Sequence, residues 1–311
     1  MNVPGLHHVT AITAAPQKNI DFYTGVLGLR LVKVTINFDD PRAYHLYYGD
    51  AAGNPGTILT FFAWPNARKG QSGVGEVSTI SFAIPAKALE FWEVRLTECD
   101  VPFEKKVVFT RQRLAFKDPD GIELELVEET TAIVSKPWVR GPLTEGTAIL
   151  GFYGVTLCED SLALTRKLLI EKLAYREIAT ENGIYYFQGI AHEPGASLLI
   201  RIAPDLTRAL IAAGSVHHIA FRARTDADEL SLRSELLASG IDATPVIDRT
   251  YFHSVYFHEP GGILFEIATD TPGFTVDEPL DALGTSLRLP PQFEAHRSII
   301  EESLLPLKLP L

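Results

Sequence analysis

Val216-His217-His218-Ile219-Ala220-Phe221 and Glu259-Pro260-Gly261-Gly262-Ile263-Leu264-Phe265-Glu266-Ile267 are the two stretches that decide the fold. Both are rich in β-branched and aromatic residues and are bounded by turn residues, which predicts two strands. A His on the first strand and a Glu on the last can share one metal ion if the strands lie close together. A third ligand then has to come from another part of the chain.

The order of elements in this segment, β-α-β-β-β, is predicted four times along the chain, which indicates an internal repeat. Asp118-Pro119-Asp120-Gly121 and Glu259-Pro260-Gly261-Gly262 supply the tight turns that begin the last strands of the second and fourth copies. The first helix is predicted over residues 16–27, and a short helix in the tail over residues 292–304. The predicted modules span residues 1–69, 76–135, 147–204 and 215–270, and a proline-punctuated tail spans residues 271–311.

Composition limits the classes of function. The chain has 311 residues, of which 46% are hydrophobic and 22% charged, as in ordinary globular proteins. The net charge of −11 argues against nucleic-acid and anionic-membrane partners, because both favour a basic patch. Cys99 and Cys158 have neither metal-ligand spacing nor the pattern of a disulfide framework. Without a secretory signal or a membrane-length apolar run, we expect a cytoplasmic protein, with a homodimer as the ordinary assembly.

Several stretches, taken in order, together resemble one known family. They are Gly5-Leu6-His7-His8-Val9-Thr10, Asp21-Phe22-Tyr23, Tyr44-His45-Leu46-Tyr47-Tyr48-Gly49-Asp50, His217-His218-Ile219-Ala220-Phe221, Asp248-Arg249-Thr250-Tyr251-Phe252 and Phe265-Glu266-Ile267-Ala268-Thr269-Asp270. With the βαβββ repeat, they resemble the vicinal-oxygen-chelate superfamily of glyoxalases, bleomycin-resistance proteins and extradiol dioxygenases. Within it, the chain is most similar to the ring-cleaving dioxygenases that act on hydroquinones.

The resemblance implies that modules pair, and that a cup between two modules gathers metal ligands from their first and last strands. Pairing the first module with the second gives a single His and Glu125. Pairing the third with the fourth gives only His218 and Glu266, because the third module has Gly154 at the His position. Pairing the first with the fourth gives His8, His218 and Glu266, the facial triad of non-haem Fe(II) oxygenases. Glu125 in the second module is interpreted as a relic or a structural contact. The predicted fold class is therefore α+β, with four modules forming two curved-sheet cups and modules one and four paired.

The same resemblance implies the residues around the metal. His7, His217, Arg249 and Tyr256 are catalytic candidates, and Thr10, Arg249 and Tyr256 are substrate-binding candidates. Thr10 shares a strand face with His8, whereas alternation predicts that His7 and His217 point away from the ligands and either support them or are exposed. Arg249 stays protonated and suits an anionic phenolate.

The predicted function is a metal-dependent extradiol-type dioxygenase that inserts O2 into a hydroquinone ring, next to a hydroxyl bound to Fe(II). Fe(II) is the expected metal and Mn(II) the second choice; the partners are a small aromatic substrate and O2. One alternative is a glyoxalase-like isomerase or lyase with Zn or Ni, which usually presents four protein ligands. The strand predicted at residues 57–64 has no carboxylate, which disfavours it. A resistance-type binding protein would not need the triad, and catechol stays open as a substrate.

Overall fold

A computed structural model describes residues 3–130, 136–190 and 193–310. The predicted end of the second module at residues 131–135 and both termini of the chain lie outside the described residues, as do residues 191 and 192 inside the third module. Within the described ranges, no helix has the length and apolar character that crossing a bilayer requires.

Strands and helices follow the βαβββ order four times. The strands are β1 (Leu6–Thr13), β2 (Arg30–Ile36), β3 (Tyr44–Gly49), β4 (Ile58–Ala63), β5 (Glu76–Pro85), β6 (Phe103–Val108), β7 (Arg111–Lys117), β8 (Glu123–Glu129), β9 (Gly151–Glu159), β10 (Arg176–Glu181), β11 (Ile184–Gln188), β12 (Ser197–Ile202), β13 (Val216–Ala223), β14 (Ile247–Asp248), β15 (Phe252–His258) and β16 (Leu264–Pro272). The α-helices are α1 (Pro16–Ile20), α2 (Leu89–Glu98), α3 (Ala163–Glu171), α4 (Asp226–Ala238) and α5 (Arg297–Ser303).

The strands of the described residues form two curved eight-stranded sheets. The first sheet has the order β14-β15-β16-β13-β1-β4-β3-β2, and the second the order β10-β11-β12-β9-β5-β8-β7-β6. In each sheet, the first strands of two modules pair antiparallel at the centre, and the last strand of each module lies parallel beside its first. The predicted pairing of modules one and four is therefore confirmed, and modules two and three form the other cup.

One hydrophobic core joins residues of both sheets. It includes Tyr23 and Phe221 from the first and fourth modules, and Phe82, Trp92 and Phe152 from the second and third. The rings of Phe82 and Phe152 stack at 5.5 Å across the central strands of the second sheet. Because the core is shared, the positions of the two cups are coupled by close packing.

The helices predicted near the two ends of the chain are not regular α-helices throughout. The first continues α1 as a π-helical segment, Asp21–Val26, where the Thr24 hydroxyl donates to the Ile20 carbonyl at 2.7 Å and Gly25 weakens helical regularity. The tail helix is a 3-10 segment, Pro291–His296, followed by α5. Ile300 of α5 packs with Ile36 of β2, so the tail covers the outer strand of the first sheet.

Candidate metal centre

The three predicted metal ligands lie on the three central strands of the first sheet. The Nε2 atoms of His8 and His218 lie 3.2 and 2.9 Å from Oε2 of Glu266, and 3.4 Å from each other. All three side chains are buried. In the described part of the chain, no other group of three His, Cys, Asp or Glu residues brings its ligand atoms within 4.8 Å of one another.

These distances suit three ligands of one metal ion. Three donor atoms on one face of an octahedron, each about 2.1 Å from the ion, lie about 3 Å apart. Oε2 of Glu266 is buried and has no hydrogen-bond partner, although both Nε2 atoms are near it. Oε1 is held by the Ser254 hydroxyl, which donates to it at 2.5 Å. The second oxygen is therefore oriented towards the two imidazoles and left available as a ligand.

The charge state of Glu266 also suits a cation. Burial opposes ionisation, but the attraction of the nearby imidazoles of His8 and His218 outweighs it and holds the pKa of Glu266 well below its ordinary value. A buried carboxylate of this kind requires a compensating positive charge.

The expected alternation within each His doublet is wrong, because a β-bulge lies at each doublet. In the pairing of β1 with β13, Leu6 and His8 lie opposite the adjacent residues Phe221 and Ala220, so His7 is an extra residue. In the same way, Val216 and His218 lie opposite the adjacent residues Ala11 and Thr10, so His217 is an extra residue. A bulge re-aims the extra residue. As a result, Nδ1 of His7 lies 2.9 Å from Nδ1 of His8, and Nδ1 of His217 lies 2.8 Å from Nδ1 of His218.

Both bulged histidines contact a ligand histidine, and His7 sets the tautomer of His8. Burial lowers the pKa of His7 well below its ordinary value, and its ring also bonds to the backbone of Thr269. Because a carbonyl only accepts, the second ring nitrogen of His7 is the donor there and Nδ1 accepts from Nδ1–H of His8. Nε2 of His8 then presents a lone pair to the centre. Burial lowers the pKa of His217 to about 3, and its ring makes the equivalent Nδ1–Nδ1 contact with His218.

A cavity of about 400 Å³ opens beside the triad, a volume suited to a small ligand. The Arg249 guanidinium lies 5.3 Å from the centroid of the Tyr256 ring, and its Nε lies 3.3 Å from the Tyr256 hydroxyl. Thr10, Arg249, Tyr256 and His217, all predicted from the sequence, line the cavity, whereas His7 lies behind His8. Further lining residues are Asn37, Phe38, Asp39, Asp40, His45, Tyr47, Phe62, Trp64, Phe252 and Leu264.

Sequence reasoning gave no role to Ser254 and Tyr47 and disfavoured a catalytic role for His45. Ser254 orients Glu266, and His45 and Tyr47 bond to each other at 2.9 Å in the cavity wall. Strand alternation places His45 and Tyr47 on one face of β3, but only the curvature of the sheet makes that face the inside of the cup.

One family model and several known proteins match this chain. The model of the Glyoxalase/Bleomycin resistance protein/Dioxygenase superfamily matches residues 5–126. The chain is 45% identical over 305 residues to MhqO of Bacillus subtilis, described as a candidate ring-cleaving dioxygenase, covering 98% of this chain and 97% of that protein. It is 32% identical over 306 residues to the chlorohydroquinone/hydroquinone 1,2-dioxygenase of Sphingobium indicum, covering 94% and 93%.

Solved structures agree with these matches. The crystal structure of a candidate dioxygenase from Bacillus subtilis superposes with a TM-score of 0.96 at 44% identity, covering 99% of this chain and 98% of that one. Glyoxalase I from Zea mays superposes with a TM-score of 0.64 at 12% identity, covering 86% and 92%. The second likeness shows the fold alone.

Proposed function

This chain belongs to the glyoxalase/bleomycin resistance protein/dioxygenase superfamily, and we propose that it is a metal-dependent ring-cleaving dioxygenase acting on a hydroquinone-type ring. The observation that carries the proposal is the buried His8–His218–Glu266 group, whose two histidines line the cavity. Two imidazoles and one carboxylate on one face leave about three coordination positions free for substrate oxygen and O2. Full-length similarity to proteins described as ring-cleaving and hydroquinone dioxygenases supports the same reaction class.

His8, His218 and Glu266 would hold the ion, with Fe(II) expected and Mn(II) as the second choice. When bound, such a metal supplies electron transfer between an aromatic ring and O2. The position of a fourth protein ligand is filled by Thr60 of β4, whose buried hydroxyl bonds to Thr10 and His45. Because a glyoxalase-like site would need a carboxylate there, this favours the dioxygenase over the isomerase.

The cavity wall can bind and orient an ionised aromatic ring. Arg249 carries a fixed charge beside Tyr256 and is half-buried, so its attraction for a phenolate oxygen is strengthened by the reduced access of water. Phe62, Trp64 and Phe252 supply aromatic surface for the ring. Thr10 and His8 both line this cavity.

The test is metal analysis of anaerobically purified protein, combined with oxygen uptake on adding hydroquinone or catechol. We expect one Fe or Mn ion per chain, oxygen uptake with hydroquinone, and loss of both in Glu266→Gln. Zn or Ni without oxygen uptake would contradict the proposal in favour of an isomerase, and absence of metal would favour a binding protein. Faster uptake with catechol would correct the substrate.

A further inference from the structure

Thr60 is the counterpart of Glu266 under the pseudo-twofold that relates modules one and four. Thr60 lies opposite Thr10 of β1, as Glu266 lies opposite Ala220 of β13. On the other side, Tyr47 faces Thr60 just as Tyr256 faces Glu266. Where one half of the cup has a ligand carboxylate, the other half therefore has a buried hydroxyl.

That hydroxyl is part of a continuous chain of hydrogen bonds along the cup wall. The Thr60 and Thr10 hydroxyl oxygens are 3.0 Å apart. Nε2 of His45 lies 2.7 Å from the Thr60 oxygen, and Nδ1 of His45 lies 2.9 Å from the Tyr47 hydroxyl. Thr10 and Tyr47, the two ends, both line the cavity.

Counting protons shows that the hydrogen bonds from Thr10 to Tyr47 all donate in one direction, and that this direction can reverse. Burial holds the pKa of His45 well below its ordinary value, so the ring is neutral and has one N–H. The four groups thus carry one proton each, and the three hydrogen bonds between them use three of the four. The remaining proton points outward at Thr10 when His45 is protonated on Nε2, and at Tyr47 when it is protonated on Nδ1.

We propose that Thr10, Thr60, His45 and Tyr47 form a proton relay, which moves the substrate's hydroxyl proton from the metal-facing side of the cup to the Tyr47 side. This inference rests on the proposed function. In one transfer, the substrate O–H proton passes to Thr10, the Thr10 proton to Thr60, and the Thr60 proton to Nε2 of His45. The Nδ1 proton of His45 passes to Tyr47, and the Tyr47 proton passes to water in the cup.

Each relay group loses one proton and gains one, so none changes its charge, and only the substrate oxygen becomes anionic. His45 changes tautomer, and the reverse transfer or rotation of the hydroxyls resets it. Besides Tyr47, which is hydrogen-bonded to His45, the charged and titratable groups that act on the pKa of His45 are His8, His218, Arg249 and Glu266. Thr10 and Tyr47 can contact ligand or water, whereas Thr60 and His45 act through them as positioning residues.

The kinetic test compares Thr60→Val with Thr60→Ser in the metal-loaded enzyme. For Thr60→Val we expect kcat near pH 7 to fall at least about 10-fold, with KM changed less than about 3-fold. Its kcat should then rise with pH, since more substrate arrives already ionised. Thr60→Ser keeps the hydroxyl and should restore the wild-type profile. An unchanged pH profile in Thr60→Val, with oxygen uptake intact, would overturn the relay and leave the proposed function standing.

A second measurement does not depend on turnover. In ¹⁵N-labelled metal-free protein, the His45 ring signals are assigned by their loss in His45→Gln. We expect a neutral ring between pH 5 and 9, and Tyr47→Phe should lock the proton on Nε2, because Nδ1 then has no partner. A ring that becomes charged in this range, or a tautomer unaffected by Tyr47→Phe, would overturn the relay. Absence of oxygen uptake by the wild-type protein would count against the proposed function, and the spectra would still decide whether the relay exists.

Discussion

Glu125 in the second cup and Glu266 in the first occupy the same place in two copies of one module, yet their surroundings differ. Glu125 lies opposite Ser81 of β5, as Glu266 lies opposite Ala220 of β13. Its carboxylate accepts from Nη1 of Arg113 at 2.6 Å and from the Ser81 hydroxyl at 2.8 Å. Arg113 of the same module therefore neutralises Glu125, whereas Glu266 faces two imidazoles.

The positions that carry His8 and His218 in the first cup are Gly154 and Thr79 in the second. A Cβ atom built on Gly154 would lie 1.8 Å from the backbone oxygen of Ser197, so no side chain fits there without moving the strand. The second cavity remains, at about 440 Å³. The comparison teaches that a repeated carboxylate can serve as a ligand only where the opposing strands have room for imidazoles.

The strongest way to test this difference is to neutralise the two carboxylates separately. We expect Glu266→Gln to lower oxygen uptake at least about 1000-fold and to abolish metal binding, since the triad loses its only anion. Glu125→Gln should leave metal content and activity within about 3-fold, after correction for the fraction folded. Atomic absorption and oxygen-electrode assays measure both. Loss of metal in Glu125→Gln would place an ion in the second cup.

Substitutions in the second cup should instead change the stability of the protein. Arg113→Met leaves Glu125 as an uncompensated, largely buried charge, which we expect to cost about 3–5 kcal/mol in free energy of unfolding. The double variant Arg113→Met/Glu125→Leu should recover most of that loss, because neither charge remains. Urea unfolding monitored by circular dichroism measures both variants. Equal destabilisation in the single and double variants would show that packing, and not charge compensation, is the role of the pair.

The bulged histidines should affect metal affinity without being ligands. His7→Phe removes the acceptor for Nδ1–H of His8, and we expect Mn(II) affinity to fall about 10- to 100-fold. Tyr153, at the matching position of β9 beside Gly154, is the control, and Tyr153→Phe should leave affinity unchanged. Competition with a metal chelator measures both variants. An unchanged affinity in His7→Phe would contradict the tautomer assigned to His8.

The smallest effect concerns a buried pair of carboxyl groups where modules three and four meet. The Thr165 hydroxyl lies 2.8 Å from Glu159 and 2.6 Å from Glu259, whereas Thr13 fills the place of Glu159 in the first module and bonds to Asp120. Burial and the charge of Glu259 raise the pKa of Glu159 from 4.5 to about 8.

Because this folded-state pKa lies above the unfolded value, the folded protein binds the proton more tightly and loses stability as pH rises from about 4.5 to 8. We expect Glu159→Gln to flatten this loss and to be more stable than wild type by about 1 kcal/mol near pH 9. Thr13→Val is the control and should keep the wild-type slope between these pH values. Thermal unfolding across the pH range tests it, and parallel curves for wild type and Glu159→Gln would contradict the shift.

Much of the site could be predicted before the structure. The repeat follows from residue types at matching places in the modules, whereas the pairing of the first and last modules and the identity of His8, His218 and Glu266 also needed the resemblance to a known superfamily. The structure brings these three side chains together, while their binding of a metal stays a prediction. Thr10, Arg249 and Tyr256 were likewise expected at the cavity and line it.

What the sequence by itself determined was the periodic information: which residues alternate on a strand, where turns begin, and which positions recur in each module. Only the tertiary structure decided where alternation fails, at the bulges of His7 and His217, and which groups meet across strands. The series of hydrogen bonds from Thr10 to Tyr47 and the ion pair of Arg113 with Glu125 depend on such contacts between strands. The physical reason is that a one-residue bulge and the curvature of a sheet re-aim side chains by several ångströms, and both are set by packing between distant segments.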